Sequence, residues 1–411
     1  MRPCVGGCAS FSSDDPVAPS QPRPSPSRPF PPRPAFGVGT TVGSGVFVLA
    51  GVAAHTYAGP SSSISYLLAG FVAALSGLPY AELAAAFPVD GSTYAYAYIT
   101  MGEAFAVASS LCQTLEYGAC AAAVARSWGM KVVDALAEGP LPPGVEKVLN
   151  PGWNVNPMGA VIAVLCTLVL LCGIEESKGI TNLVSCAKVC LIAFIIVAGF
   201  LLASGAGGDD APASFANWTP FAPLGPEGVM NAASILFFAF LGFDSICNIG
   251  GEARNPVKDV PRAILLTLLI DGVIYMLAAL ALTAMLPYQQ ISTVSGFADA
   301  FRDNGWVWAE KLTIVGEILV LPLVVLTSIQ AQTRLMFAMA KDRLVPDFFS
   351  RLTFATKTWR GGEKVDNIGN ITKNVQFCGV VIVLLAAFVP FHYMDDLISA
   401  GALFLFSLTD W

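Results

Sequence analysis

Residues 37–47 read GVGTTVGSGVF, with glycines at 37, 39, 43 and 45, and residues 237–252 read FFAFLGFDSICNIGGE, with Gly242 beside Asp244 and a Gly250-Gly251 pair further on. Both stretches lie inside long apolar runs, where a helix is expected and each interior glycine weakens it by about 1 kcal/mol. The first falls in the first of ten apolar runs and the second in the sixth, so they occupy matching positions in two halves of five. Paired glycine-rich breaks of this kind point to an inverted-repeat transporter with its site near the bilayer midplane. For the first break alone, close helix packing is an equal alternative, because Gly39 and Gly43 form a GxxxG pair. The second break, at the matching position, favours a binding site. A dinucleotide loop fits poorly, since no strand precedes the glycines.

Working outward, the ten runs lie near 36–57, 61–83, 103–125, 158–174, 183–204, 229–250, 263–286, 312–335, 375–391 and 397–408. Most reach the length of about 20 residues that a helix needs to cross the hydrocarbon core. The last, at about 12, is too short on this count. The composition agrees: 55% of the 411 residues are apolar and only 12% are Asp, Glu, Lys or Arg, about half the charged share of an ordinary globular chain. So few charges cannot cover a water-facing surface, so the expectation is a multi-pass membrane protein in contact with the lipid bilayer. The net charge of -7 and the lack of a basic tract or stacking platform argue against nucleic acid as a partner. Residues 1–35 form a separate, Pro/Ser-rich segment (SQPRPSPSRPFPPRP at 20–34) expected to be disordered. The organisation expected is then a first five-span repeat over 36–204, a loop over 205–228 and a second repeat over 229–411.

Lysine and arginine in alternate loops set the orientation. With the N-terminus in the cytoplasm, the inside segments hold 16 of the 22 basic residues and the outside segments five, Arg126, Lys131, Lys147, Arg302 and Lys311. The N-terminus is therefore expected inside and 205–228 outside, which also places the sequon Asn217-Trp218-Thr219 outside. The ten cysteines carry no CxxC spacing and there are only two histidines, His55 and His392. A metal site and a disulfide framework are both poor readings, and the cysteines read as small residues packing between helices. No P-loop, hydrolytic triad or cofactor motif is present, so no cofactor and no enzyme activity are expected.

Ionisable residues at membrane depth need a reason. Glu116 lies about thirteen residues into the third run, near the midplane, and reads as a counter-charge or proton acceptor facing a cavity, against a purely structural hydrogen-bonded carboxylate. Lys188 lies about 8 Å into the fifth run at 1.5 Å per residue, where snorkelling to the interface is an equal alternative. Asp244 follows the second break and reads as a helix cap or a cavity residue. Asp271 and Glu317 read more as structural. An unwound segment offers backbone N–H groups to an anion at one half-helix and carbonyls to a cation at the other, a pairing that suits an α-amino acid.

From Gly37 to Ser407 the chain resembles the amino acid–polyamine–organocation superfamily, and within it the cationic amino acid transporter family. The resemblance rests on GSGVFVLAGVAAHTYAGPS (43–61), LSGLPYAELAAAFPVDGSTYAYAY (75–98) with TLEYGACAAAVAR (114–126), ANWTPFAPLGPEGVMNAASILFFAFLGFDSI (216–246) with EARNPVKDVPRAI (252–264), and QTRLMFAMAKDRLVPDFF (332–349). It implies an all-α LeuT-type 5+5 inverted-repeat fold with broken helices 1 and 6, and sodium-independent transport of an amino acid by alternating access. The implied substrates are arginine, lysine or ornithine, with polyamines or neutral amino acids as the runner-up and a non-transporting sensor or fragment behind that. Gly43, Ser44 and Gly45 correspond to the substrate-carboxylate position, and Phe240, Leu241 and Gly242 to the lining and amino-group carbonyls. Glu116 matches the acidic position near the substrate, and Lys188 the lysine that stands in for a sodium ion in proton-coupled members, making protons a candidate partner. Three features depart from the pattern. Gly251-Glu252 stands where the family has two acidic residues, and Asp271 and Glu317 are not family residues. Proline-rich sequence precedes the first break and the chain ends within the tenth run, so a chain truncated at both ends is expected.

Overall fold

The computed structural model describes residues 34–86, 92–137, 155–172, 178–206, 212–244, 246, 256–350, 358–360, 363–365 and 372–409. The proline-rich segment before Pro34 and the Gly250-Gly251 pair lie outside them. The architecture is helical, with one short antiparallel hairpin, β1 (Thr358–Arg360) paired with β2 (Glu363–Val365).

All ten apolar runs lie in helix over most of their described length. The first is broken into α1 (Pro34–Thr41), α2 (Ser44–Phe47) and α3 (Leu49–Val52), and it continues through a π-helical turn over Ala53–Ala58. Gly59, at φ +59°, and Pro60 then turn the chain into α4 (Ser62–Ala86); the left-handed backbone there favours glycine. A short α5 (Ser92–Thr100) leads to α6 (Glu103–Thr114), a π-helical turn over Leu115–Ala119, and α7 (Cys120–Ala137). α8 (Pro157–Leu171) and α9 (Lys178–Leu201) complete the first half. The second half contains α10 (Gly225–Leu236) with a 3-10 turn over Phe237–Phe240, α11 (Pro256–Met285), α12 (Gly296–Asp303), α13 (Val307–Lys341), α14 (Thr372–Phe388) and α15 (Phe391–Thr409).

Four helical stretches among the described residues are long and apolar enough to cross a membrane: Gly45–Ala84, Leu183–Ala206, Val257–Met285 and Val307–Lys341. Their outward faces are apolar, with Phe71, Leu75 and Leu78 on α4, Leu266 and Leu269 on α11, and Leu312 and Leu319 on α13 all exposed. A continuous exposed apolar belt is the reverse of a water-facing surface and matches contact with lipid. The interior is correspondingly small and hydroxylated. Ser62, Ser65, Thr93, Ser109, Thr267 and Thr283 are fully buried, and several hydroxyls return to a carbonyl three or four residues earlier, as Thr283 does to Ala279 at 2.9 Å, which satisfies them without water.

Three expectations are refined. The tenth run belongs to a longer helix, since α15 is 19 residues long, or about 28 Å, though it is not among the four stretches apolar enough to cross; its first turns carry Asp395 and Asp396, which an apolar count leaves out. The third helix continues through α7 to Ala137, so Arg126 and Lys131 are not loop residues. Both are buried. Arg126 donates to the carbonyls of Ala386 (3.3 Å) and Ala387 (3.2 Å) at the end of α14, where the last carbonyls of a helix lack partners and the dipole favours a cation. The 205–228 segment is only partly loop. Its Phe215–Trp218 turn docks on α11, with Trp218 Nε1 donating to Leu280 O at 3.3 Å and the Asn217 amide donating to Pro212 O at 2.9 Å and Ala284 O at 3.1 Å.

At the other end of the bundle Tyr94 of α5 donates to Asp342, just beyond α13, at 2.5 Å. Burial and the neighbouring carboxylate push the Tyr94 hydroxyl above its ordinary pKa.

Candidate functional site

The first break opens where α1 ends, at Val42 and Gly43, and α2 begins at Ser44. The second opens after Phe240, where Leu241 is extended and Gly242 takes a φ of +106°, a conformation that costs glycine nothing. The two breaks touch. A Cβ on Gly45 would lie 2.3 Å from the Cα of Ala239, so only a glycine lets the backbones come this close. Helix packing accounts for the other glycines: a Cβ on Gly39 would meet Ser185 of α9 at 2.5 Å, and one on Gly37 would meet Thr267 of α11 at 2.2 Å. Gly43 differs, since its Cβ would come no closer than 3.4 Å to any neighbour, the Val324 side chain. Close packing thus accounts for Gly37, Gly39 and Gly45 but not for Gly43, where the helix breaks. Ser44 is placed as a backbone position in α2, and its side chain lies outside the described residues.

Around this contact the polar groups of the break find side-chain partners. The buried Tyr66 hydroxyl donates to Gly45 O at 3.0 Å. The Thr41 hydroxyl, on the last residue of α1, donates to the Asp271 carboxylate of α11, whose other oxygen, Oδ1, is buried without a hydrogen-bond partner. Phe240 is fully buried, with its ring 5.3 Å from Tyr275, which in turn lies 5.6 Å from Tyr66. Asp271, read from sequence as structural, thus stands at the first break. Tyr66, Tyr275 and Thr41 carried no sequence signal, because an aromatic or hydroxyl in an apolar run reads as core.

Lys188 is buried and donates to Gly39 O at 3.2 Å. Snorkelling does not describe it, since the ammonium turns inward to the end of α1, among carbonyls that lack intrahelical partners and where a cation is favoured. Glu116 is also buried, in the π-helical turn between α6 and α7; such turns open the backbone ladder and recur at functional sites. Its neighbour Tyr117 donates to Asp244, two residues beyond Gly242. Glu116 and Asp244 are both buried, at 4% and 3% exposure. The structure thus brings Gly45, Phe240 and Ala239 together, holds Lys188 on α1, and ties the Glu116 turn to the second break through Tyr117 and Asp244.

Comparison with known proteins follows the same lines. The sequence profile of a family described as "Amino acid permease" matches residues 35–410. A cationic amino acid transporter 4 (vacuolar) of Arabidopsis thaliana is 33% identical over 378 residues, covering 91% of this chain and 60% of the relative. A branched-chain amino acid permease, BcaP, of Bacillus subtilis is 31% identical over 391 residues, covering 91% of this chain and 77% of the relative. A methylthioribose transporter of the same bacterium is 32% identical over 377 residues, covering 91% and 77%. The chain spans about 60% of the length of the plant relatives it matches. With nearly the whole chain matched by the profile and its glycine breaks in contact, the chain belongs to the amino acid permease family.

Proposed function

We propose that this chain moves amino acids across a membrane by alternating access without sodium, and that it prefers cationic ones such as arginine, lysine and ornithine. The observation that carries the reading is the contact of the two breaks, with the buried Glu116 turn tied to the second of them by the hydrogen bond from Tyr117 to Asp244. Buried carboxyl groups beside the breaks suit a substrate ammonium or guanidinium, which supplies the opposite charge. The backbone N–H groups of Gly43, Ser44 and Gly45, at the start of the helix after the break, suit the substrate carboxylate. Phe240, Leu241 and Gly242 line the other side and present carbonyls to the amino group. The reading includes a 5+5 inverted repeat (36–204 and 229–411), ten spans and a cytoplasmic N-terminus. With Arg126 and Lys131 buried in α7, only Lys147, Arg302 and Lys311 remain among the expected outside charges, which sharpens the asymmetry that supports it.

The deciding experiment is uptake into liposomes. Glu116→Gln should reduce arginine uptake about tenfold or more relative to leucine uptake, the size of a lost charge-assisted contact. Equal losses for the two substrates would overturn the cationic preference. Leucine uptake that exceeds arginine uptake in the unaltered chain would favour the neutral reading, in line with the branched-chain relative.

Lys188 supports the sodium-independent part of the proposal, because its ammonium already occupies a carbonyl at the end of α1. If its charge also couples protons to transport, Lys188→Met should flatten the pH dependence of uptake. An unchanged profile would leave Lys188 as a fixed cap on α1.

A further inference from the structure

Where α7, α12 and α13 meet, a cavity of about 300 Å³ is lined by Lys131, Asp134, Ser295, Asp299, Arg302 and Glu317. That volume is at the lower end of the range for small-molecule sites, about 300–1,000 Å³. Both of its cations are committed. Lys131 lies 2.6 Å from Glu317 Oε2 and donates to Phe47 O, at the end of α2, at 3.3 Å. Arg302 lies 2.7 Å from Asp299 and 3.6 Å from Glu310. Acceptors remain. Glu317 is only 2% exposed, and its Oε1 is buried without a hydrogen-bond partner. Asp134 is exposed and receives a long bond from the Ser295 hydroxyl, at 3.4 Å. The lining holds three carboxylates against two cations, one negative charge in excess, and an unsatisfied buried carboxylate oxygen is costly unless a donor reaches it.

We infer that this cavity is a second binding site, for the ammonium or guanidinium group of a small organic cation, on the face that the charge count puts outside. The cation donates to Glu317 Oε1 and balances Asp134. A carboxylate finds no uncommitted cation in this lining, so the site selects the cationic end of a molecule and not the amino acid backbone. It does not depend on transport, and its test is separable from that of the proposed function.

The probe is agmatine, which is arginine without its carboxylate, measured by equilibrium binding to the full chain in lipid nanodiscs. Agmatine should bind the unaltered protein. Asp134→Asn, at an exposed position, and Ala135→Phe, which fills the cavity without touching its charges, should each weaken that binding about tenfold. Glu116→Gln removes agmatine held at the proposed transport site, and the component that remains should keep its affinity within about twofold and its sensitivity to Asp134→Asn and Ala135→Phe. Displacement by arginine would show that a cationic amino acid side chain suffices, and displacement by agmatine alone that the site takes free amines. The inference is overturned if the cooperatively melting protein does not bind agmatine, or if Glu116→Gln abolishes binding while Asp134→Asn leaves it intact. Agmatine binding without uptake of either arginine or leucine would instead sink the transport proposal and leave this site standing.

Discussion

Replacing Gly45 with valine is expected to cost about 3 kcal/mol of stability, the upper range for forcing atoms into a packed interior, and to abolish substrate-dependent stabilisation. The new Cβ would sit 2.3 Å from the Cα and 2.5 Å from the Cβ of Ala239. Neither atom can rotate away, so the backbones of the two breaks must part. The Tyr66 bond to Gly45 O is then stretched or lost, which exposes a break carbonyl to an interior with nothing else to satisfy it. Gly43→Ala is the matched control. Its Cβ would make only ordinary contacts, the nearest with Val324 at 3.4 Å, and stability should stay within about 1 kcal/mol. Thermal melting of the two detergent-solubilised variants, with and without arginine, checks both. Similar melting points would mean that the contact between the breaks does not hold the fold together.

The second large effect concerns the ion pair between Lys131 and Glu317. Both side chains are almost inaccessible, 3% and 2%, at a separation of 2.6 Å. Lys131→Met should destabilise the protein by about 3–5 kcal/mol, because a buried carboxylate loses its partner. The Phe47 carbonyl also loses its donor. The double replacement Lys131→Met/Glu317→Leu should recover most of that loss, since a well-packed apolar pair removes both desolvation costs. A double-mutant cycle on melting midpoints measures the coupling. Additive losses would show that each residue is held by other groups and that the pair is incidental.

Much of the fold was legible in the sequence for a physical reason: lipid demands a continuous apolar surface, and hydropathy reports that surface directly. The runs therefore fell in helices, and Gly43 and Gly242 stand where helix gives way. The inward faces escaped. Lys131 looked like a loop residue because its partner, Glu317, is 186 positions away, and only the fold makes the pair. The first turns of α15 looked polar for the same reason, with Asp395 buried on a face that hydropathy averages against its opposite. Of the candidate site, Glu116 and Lys188 stood out as isolated charges in apolar runs. Asp271 stood out too, but its meeting with Thr41 depends on how α11 crosses α1. The aromatic group of Tyr66, Tyr275 and Phe240 was invisible, because aromatic rings are ordinary tenants of any apolar helix.

The docked turn at Phe215–Trp218 bears on how the chain matures. Glycan transfer to the Asn217 sequon needs the side-chain amide nitrogen as the attacking atom, yet in the folded protein that nitrogen donates to Pro212 O and Ala284 O. Folding and modification therefore compete for one atom. In the proposed orientation, which puts 205–228 outside, a sugar can be attached only between the emergence of residues 217–219 on that side and the docking of that turn on α11, and the faster α11 inserts, the shorter that interval becomes.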